Sequence, residues 1–330
     1  MAKNNVKIIK TSWPNKIFNL SIKLFKYPKL DKLIIKKGKL DKLHIFISPN
    51  INFTALSKDI KFFQTIHDLS YKIYPEFYSI RRRMWHKLIN PKKLCQQAEV
   101  IICPSQSTKN DIAKHYKIDK DKIKIIYPGL SMANKDSRVS KEKYEQVRKK
   151  YNLPNNYILF LGTIEPRKNL LGLIESYEQF INEQGGDKYL VIAGVSGWKN
   201  SKIYKRVKKS RYNKYIKFIG YVDREDKQTL YSMALIFIYP SFYEGFGIPV
   251  LEALNTKTPT ITSNRSSLPE IYGKSSYLIN PNKTTEIKRA INKLLNSDRE
   301  RKILIQAGEE VVKKFNWKDS AKKLNNILSV

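Results

Sequence analysis

The chain has 330 residues and is 41% apolar, so it is long enough for two domains and too apolar for a disordered chain. Its formal net charge is +34, which suits an anionic partner such as nucleic acid, a membrane surface or a phosphorylated substrate, although the charge is spread along the chain and a compositional bias accounts for much of it. No apolar run of about 18 residues occurs, so we expect no transmembrane helix, and residues 1–16 lack the apolar core of a secretory signal.

The first part of the chain predicts an α/β domain. Residues 1–40 are expected to be irregular, apart from a short helix that ends near Pro28. Strands that alternate with helices then indicate a largely parallel sheet. Cys95 and Cys103 have no metal-binding spacing, so we expect two buried thiols. The predicted strands are 43–48, 62–67, 99–105 and 122–129, and the predicted helices are 79–98 and 105–116.

A polar, highly charged stretch at 131–150 predicts a linker, and a second α/β set follows it. Within this set Asp223 is expected to cap a helix, with Asp226 at the capping-box position. Two α/β domains joined by a linker leave a cleft, which is a usual ligand site. The predicted strands are 157–162, 188–194, 215–222, 234–240 and 258–263, and the predicted helices are 170–181, one around 249–254 and those from 284 onward.

The strongest chemical signal lies at 239–273. Gly245 and Gly247 follow a buried strand and allow the backbone to approach a ligand closely. The helix that begins next offers free N–H groups to an anion such as a diphosphate. Glu244 and Glu252 bracket this helix start at a separation of roughly 10 Å. Either glutamate alone is readily explained as a cap or a surface residue, but the pair with the glycines indicates a ligand with phosphates between two hydroxyl-bearing ends, such as a nucleotide-sugar.

This segment resembles the family 4 glycosyltransferases. The resemblance rests on a PS-x-x-EGFG-x-P-x-LEA pattern followed by SNRSSLPE at 263–270. It implies a GT-B fold, in which two Rossmann-like domains face a cleft. It further implies that Glu244 contacts sugar hydroxyls, that Phe246 and Gly247 offer backbone N–H groups to the diphosphate, and that Glu252 holds the ribose.

A second segment, 160–177, contains a strand that ends at Gly162 and a loop with Arg167 and Lys168. Two cations at the carboxyl edge of a parallel sheet are well placed to hold a diphosphate, although a solvated basic loop is the simpler alternative. In the family this loop supplies the pair that neutralises the leaving nucleoside diphosphate. Many members have an arginine directly after the glycine, where this chain has Thr163; the EPRKN form resembles the mannosyltransferase-like branch, in which Arg167 takes that role.

A third segment, at 63–77, places His67 and Asp68 directly after a predicted strand. A lone histidine is usually structural, but these residues resemble the T-x-HD-L motif of the family. The resemblance implies that His67 lies near the transferred sugar and that Asp68 supports it. In the run at 100–112, Ser105 is expected to be structural, with a weaker alternative on the acceptor side.

We expect no metal site. The string Asp119-Lys120-Asp121 has the Asp-x-Asp form that holds a divalent ion in many other glycosyltransferases, but it lies in a polar turn and is interpreted as solvated. Arg167 and Lys168 supply the positive charge that would otherwise come from an ion.

These observations predict four parts of the chain. They are an incomplete acceptor-side domain (1–135), a linker (136–150), a nucleotide-sugar-binding domain (151–314) and a C-terminal helix that crosses back to the first domain (315–330). The implied reaction is transfer of a hexose with retention of configuration, with no cofactor. The implied donor is GDP-mannose, and the acceptor is a polysaccharide or lipid-linked oligosaccharide. We expect a cytoplasmic protein, and the basic charge favours peripheral contact with the inner face of an anionic membrane.

The start of the chain departs from the family pattern. Residues 1–40 contain one glycine, Gly38, and no GG pair, so the first βα unit and its glycine-rich loop are expected to be absent. An exposed sheet edge should then favour self-association or a partner that supplies the missing unit. Two rival interpretations stay open: a catalytically impaired GT-B module that acts as a partner subunit, and a basic nucleic-acid-binding protein, although no concentrated basic–aromatic motif is present.

Overall fold

The computed structural model describes residues 6–131 and 139–329. The first domain has a sheet of four parallel strands in the order β1-β2-β3-β4, with helices on its faces. Strand β1 lies at the sheet edge and pairs only with β2 among the described strands. The elements are α1 (Asn15–Phe25), α2 (Leu30–Gly38), β1 (Ile45–Ser48), β2 (Lys61–Thr65), α3 (Ser70–Ile73), α4 (Ile80–Ile89), α5 (Pro91–Gln97), β3 (Val100–Cys103), α6 (Gln106–Tyr116) and β4 (Ile123–Ile125).

Two details of this domain differ from the sequence prediction. Residues 30–38, expected to be irregular, form α2, and the buried Asp31 carboxylate accepts the Ser57 N–H at 2.9 Å. The single helix predicted at 79–98 is divided, because Asn90 has a left-handed φ of 56° and Pro91 cannot continue a helix. The short helix predicted before Pro28 is confirmed as α1.

The second domain has six parallel strands in the order β10-β9-β8-β5-β6-β7. Strands β5, β6 and β8 are almost wholly buried, which explains their continuous apolar sequence. Strand β10 was not predicted. The elements are α7 (Lys141–Lys150), β5 (Tyr157–Leu161), α8 (Leu170–Gln184), β6 (Tyr189–Ala193), α9 (Ser201–Lys209), β7 (Ile216–Gly220), α10 (Lys227–Ser232), β8 (Ile236–Tyr239), α11 (Ile248–Asn255), β9 (Thr260–Ser263), α12 (Leu268–Tyr272), β10 (Tyr277–Ile279), α13 (Thr284–Asn296), α14 (Asp298–Lys313) and α15 (Trp317–Leu328).

Most of the predicted linker is helical. Residues 136–138 lie outside the described residues, whereas 141–150 form α7, which is docked on the second domain through Asp226. Burial opposes ionisation of this carboxylate, but hydrogen bonds from Lys143, Lys150 and Tyr151 lower the pKa of Asp226 to about 2. The predicted capping box is wrong: α10 has no side-chain cap, because Asp226 faces α7 instead.

Helix α15 runs back to the first domain. The Ser320 hydroxyl donates to the Tyr127 carbonyl at 2.5 Å, and the Trp317 indole N–H donates to Ser131 Oγ at 2.7 Å. The approach is so close that a Cβ at Gly129 would lie 2.2 Å from the Trp317 nitrogen. This helix therefore ties residues 127–131 to the end of the chain.

Two further predictions concerned the two cysteines and membrane-spanning helices. Cys95 and Cys103 are free and buried, as predicted, and burial raises the pKa of each thiol to about 12. No helix among the described residues is long and apolar enough to cross a membrane.

Candidate active site

The site lies at the carboxyl edge of the second sheet. Strands β5 and β8 are hydrogen-bonded neighbours, so the loops that follow them meet at this edge. The loop after β5 carries Arg167 and Lys168 in a short 3-10 turn, and the loop after β8 carries Glu244. The two segments singled out in the sequence are thus brought into contact.

A compact charge cluster forms where these loops meet. The Glu244 carboxylate accepts hydrogen bonds from Lys168 Nζ at 2.6 Å and from Arg167 Nη1 at 3.0 Å. Arg167 Nη2 also donates to Glu165 at 2.8 Å, and Lys168 Nζ donates to the Tyr239 hydroxyl at 2.5 Å. Two cations therefore face two carboxylates, and their side chains are at most 12% exposed.

Burial and charge act against each other in this cluster. Burial alone would raise the pKa of Glu244, but the adjacent Arg167 and Lys168 hold it at about 2, so the carboxylate is ionised. Burial and the neighbouring Arg167 lower the pKa of Lys168, whereas Glu244 opposes that change. Such buried charges are stable only with their partners in place.

The Glu244 loop leads into the N-terminus of α11. Gly247 has φ of +94° and a Cβ there would lie 2.6 Å from Leu268, so glycine is required on two grounds. In the described part of the chain the N–H groups of Phe246 and Gly247 have no acceptor. This is the local geometry that an anion at a helix start requires. The Phe246 ring itself is buried and packs against Tyr272 and Phe315.

The other glycines near the site differ in whether their positions require glycine. A Cβ at Gly245 would lie 2.0 Å from the His67 carbonyl oxygen, so this glycine permits contact between the domains. Gly162 would accommodate a Cβ no closer than 3.4 Å to another side chain. The strict requirement lies at Gly194, whose Cβ would meet the Gly162 carbonyl oxygen at 2.0 Å.

Glu252 is held by α10. It is 8% exposed, and its carboxylate accepts from the Tyr231 hydroxyl at 2.9 Å and from Lys227 Nζ at 3.2 Å. These two partners hold the Glu252 carboxylate in a fixed orientation on α11. A carboxylate that is to accept a hydrogen bond from a ligand hydroxyl needs such a fixed orientation. The sequence did not reveal them, because they are 21 and 25 positions away.

His67 is exposed and follows β2, where the first domain faces the Glu244 loop. Its Nε2 lies 2.9 Å from the Pro49 carbonyl oxygen. Asp68 accepts from the backbone N–H and the hydroxyl of Ser70, and no hydrogen bond joins it to His67. Asp68 therefore shapes the start of α3.

The weaker candidates have structural roles. The Ser105 side chain caps α6 by accepting the Thr108 N–H at 3.1 Å. Asp119 accepts the N–H of Asp121 and so caps a 3-10 turn at 120–122. Within the described ranges no cluster of three His, Cys, Asp or Glu side chains has metal-binding geometry.

Contacts across the cleft join the two domains near the site. Glu270 accepts hydrogen bonds from the N–H groups of Gln106 and Ser107 at the start of α6, both at 2.8 Å. The Tyr243 hydroxyl donates to Asp111 at 2.5 Å. In addition Phe77 stacks on Phe242, and the Trp198 indole donates to the Phe77 carbonyl. The Glu244 loop and the first domain are thus held together.

Three supporting residues were not predicted from the sequence. Glu165, two positions before Arg167, is 1% exposed and pairs with it. Ser266 Oγ accepts the Glu244 N–H at 2.8 Å, and the Ser267 hydroxyl donates to the Glu244 carbonyl at 2.9 Å. The available signal was the SNRSSLPE run, which thus supports the loop.

Two parallel-sheet domains that face a cleft, with ionic loops at the carboxyl edge of the second sheet, define the GT-B class of fold. Residues 141–311 match the family described as glycosyl transferases group 1, and residues 3–133 match glycosyltransferase family 4. The chain therefore belongs to the group 1 and family 4 glycosyltransferases, as the motif resemblance implied.

Two relatives and one solved structure illustrate this membership. O-antigen chain mannosyltransferase B of Escherichia coli is 31% identical over 77% of this chain and 66% of its own length. O-antigen chain mannosyltransferase RfbU of Salmonella typhimurium is 27% identical over 70% of this chain and 60% of its own length. The chain thus spans somewhat less than two thirds of these relatives. A glycosyltransferase of Rickettsia africae shares the fold with a TM-score of 0.69 at 21% identity, over 98% of this chain and 83% of that one.

Proposed function

We propose that this protein is a retaining, metal-independent hexosyltransferase that moves mannose from GDP-mannose to a hydroxyl of a saccharide or lipid-linked acceptor in polysaccharide synthesis. The cluster of Arg167, Lys168 and Glu244 carries this proposal, because it places cations and a carboxylate at the edge where a nucleotide-sugar would lie. The choice of mannose rests on the relatives, which are named mannosyltransferases.

The contacts suggest how the donor would lie. The diphosphate would accept hydrogen bonds from the N–H groups of Phe246 and Gly247 and would pair with Arg167 and Lys168. Both cations are held by Glu244, so an incoming phosphate would share them with that carboxylate. Glu244 would then address the sugar hydroxyls.

The reaction needs no protein nucleophile. The bond between the anomeric carbon and the phosphate oxygen breaks, and the acceptor oxygen bonds to that carbon on the same face. The acceptor proton passes to the departing phosphate oxygen. Arg167 and Lys168 stabilise the negative charge that develops on the diphosphate, the role that a metal ion has in other enzymes. His67 faces the same loop from the first domain, near the proposed position of the sugar.

The test is transfer from GDP-mannose, UDP-glucose and UDP-N-acetylglucosamine to a saccharide acceptor, with the product's anomeric configuration read by NMR. We expect mannosyl transfer with retention, unaffected by excess chelator and lost in Lys168→Met. Loss of turnover in chelator that Mn²⁺ restores would contradict metal independence. Nucleotide binding without transfer from any donor would favour a non-catalytic module.

A further inference from the structure

Helix α8 has a polar face that takes no part in the core of the second domain. Glu175, Glu178, Gln179 and Asn182 recur at intervals of three and four, so they lie on one side of the helix. The apolar residues on the opposite side are buried in the core of that domain. The four polar side chains are therefore available to line a surface.

An open groove separates this face of α8 from the end of α9. Its volume is about 550 Å³, and a volume of several hundred Å³ is typical of a ligand site. The Arg206 guanidinium pairs with Glu178, and the Tyr212 hydroxyl donates to Asn182 Oδ1 at 2.7 Å. We call this cavity the α8–α9 groove. Its wall opposite α8 is formed by Arg206, Lys209, Ser210, Arg211 and Tyr212.

Hydrogen-bond acceptors line one wall of the α8–α9 groove. Glu178 Oε1 is buried and has no hydrogen-bond donor in the described part of the chain. The side chains of Glu175 and Gln179 have no partner there either. Carboxylate and amide oxygens accept hydrogen bonds from hydroxyl groups, so this wall suits a ligand that carries several hydroxyls.

Positive charge surrounds the groove. Nine Lys and Arg residues and no acidic residue occur from 199 to 217. Among the described residues, Arg206 is the one member of this set that has an ion-pair partner. A ligand for this surface is therefore anionic as well as hydroxylated. All of 199–217 is described and no large apolar side chain in it is exposed, so none would enter a bilayer.

The surface does not suit a nucleic acid. The Arg211 guanidinium carbon lies 4.8 Å from the centre of the Tyr212 ring. Lys214 Nζ lies 5.0 Å from the centre of the Tyr215 ring, so one face of each ring is covered. Binding of single-stranded nucleic acid relies on free ring faces for stacking. In addition, the carboxylates of the groove would repel a phosphodiester backbone.

We propose that the α8–α9 groove binds an acidic saccharide chain. Lys209 and Arg211 pair with acid groups of the chain. Glu175 and Gln179 accept hydrogen bonds from its hydroxyls. An acidic saccharide combines hydroxyl donors with negative charge, the two properties that the groove requires. This site is additional to the donor site and does not depend on which sugar is transferred.

The groove lies far from the candidate active site. The end of α9 leads into β7, so the groove is at the amino edge of the second sheet, whereas Arg167 and Glu244 are at the carboxyl edge. Strands such as the five-residue β6 separate the two edges by roughly 17 Å. A saccharide in the groove is thus held away from the reacting atoms, so the groove retains a polymer and does not present a hydroxyl for transfer.

The test is fluorescence anisotropy of labelled alginate oligosaccharides, compared with polyglutamate of equal charge and neutral manno-oligosaccharides of equal length. We expect alginate to bind at least about tenfold more tightly than either, because it alone offers charge and hydroxyls together. Lys209→Ala/Arg211→Ala should weaken alginate binding at least about tenfold, since two charged contacts are lost. No donor is present, so the result is separate from that of the transfer assay.

A matched control lies on the same helix. Lys205→Ala/Lys208→Ala removes the same charge at exposed positions that do not line the groove. We expect at most about a threefold loss, because solvent ions screen charges outside the groove. Thermal unfolding should show that both double variants are folded.

Glu175→Ala separates hydroxyl recognition from charge. Glu175 is exposed, so its removal leaves the fold intact. Alginate binding should weaken roughly threefold through the lost hydrogen bond. Polyglutamate binding should not weaken, because the variant removes a like charge from the groove.

Other outcomes would overturn the proposal. Equal affinities for alginate and polyglutamate, or an equal loss in the α9 control, would assign binding to charge alone. Tighter binding of oligouridylate than of alginate, lost in Lys209→Ala/Arg211→Ala, would assign the groove to a nucleic acid. Alginate binding that Glu175→Ala strengthens would contradict the hydroxyl contact, and no binding of alginate at all would contradict the site.

Discussion

At the scale of single residues, the candidate site is a balanced set of buried charges. Arg167 and Lys168 pair with Glu165 and Glu244, and both carboxylates are nearly inaccessible to water. Removing one member leaves its partners charged and desolvated, which costs more than the pair itself contributes. The cluster should therefore affect stability as well as ligand binding.

Glu244→Gln tests this coupling through stability. Loss of the carboxylate leaves Lys168 and Arg167 undercompensated, so we expect destabilisation by about 3 kcal/mol at neutral pH, measured by urea unfolding. In Glu244→Gln/Lys168→Met both members of one pair are neutral, and we expect part of the loss to be recovered. A double variant less stable than Glu244→Gln would contradict the pairing.

The same carboxylate predicts a pH dependence. Its folded pKa of about 2 lies below the ordinary value of 4.5. A depressed pKa contributes stability that is fully present above 4.5 and is lost as pH falls through about 2. The difference in unfolding free energy between wild type and Glu244→Gln should therefore be constant from pH 7 to pH 5 and shrink below that. A difference that grows on acidification would refute the assignment.

Glu252 tests the donor orientation instead. Its carboxylate is fixed by Tyr231 and Lys227, so a ribose hydroxyl would meet an oriented acceptor. Glu252→Ala should weaken the binding of free GDP by about 1.5–3 kcal/mol, the usual contribution of a hydrogen bond to a charged group. Calorimetry measures this binding free energy. Tyr231→Phe serves as the control, since it removes the support and leaves the carboxylate in place. Unchanged GDP affinity in Glu252→Ala would rule out the ribose contact.

At the scale of elements, the sequence was most informative where burial is uniform. The strands at the centre of the second sheet were predicted because β5, β6 and β8 are buried on both faces. Strand β10 was not predicted, because a strand of three residues shows no detectable periodicity. Helix α7 was not predicted either, because its sequence is highly charged and it docks through ion pairs with Asp226. Such pairs join residues far apart in the chain.

The candidate site shows the same limit. Its charged residues were predicted because motif and loop position coincide at Arg167, Lys168 and Glu244. The residues that hold these side chains in place were not predicted, since a glutamate before a proline, such as Glu165, is typical of a solvated turn. The contacts of Glu270 with α6 join residues more than 160 positions apart, and nothing local indicates them.

Gly194 provides a test of the strand-end geometry. It combines φ of +134° with a close approach to the Gly162 carbonyl oxygen. Gly194→Ala should therefore destabilise the fold by roughly 2–4 kcal/mol, from backbone strain and overpacking together. Gly220→Ala is the matched control: φ is +72° there and nothing lies within 4 Å of the added Cβ, so roughly 1 kcal/mol is expected. Equal losses in thermal unfolding would show that the close approach has no energetic effect.

At the scale of the whole molecule, the two domains are joined by contacts that converge on the Glu244 loop. Gly245 lies against the His67 backbone, and Tyr243 donates to Asp111. In addition, the Glu270 carboxylate accepts hydrogen bonds from two backbone N–H groups at the N-terminus of α6, the positive end of the helix dipole. The distance between the domains is therefore set by the loop that carries the proposed donor site.

This arrangement predicts that Gly245→Ala separates the domains without unfolding them. The added Cβ would lie 2.0 Å from the His67 carbonyl oxygen, so the first domain must move away. Small-angle scattering should show a larger radius of gyration, and transfer should fall by up to about a hundredfold, the loss that a misplacement on the order of 1 Å can cause. GDP affinity, which depends on the second domain, should change little.

Glu270→Ala should open the cleft by a different route, through loss of the two hydrogen bonds to α6, and should increase protease cleavage between the domains. The control is Glu310→Ala, a substitution at an exposed position of α14. An unchanged radius of gyration in both Gly245→Ala and Glu270→Ala would show that helix α15, which ties Tyr127 to the chain end, is sufficient to set the distance between the domains.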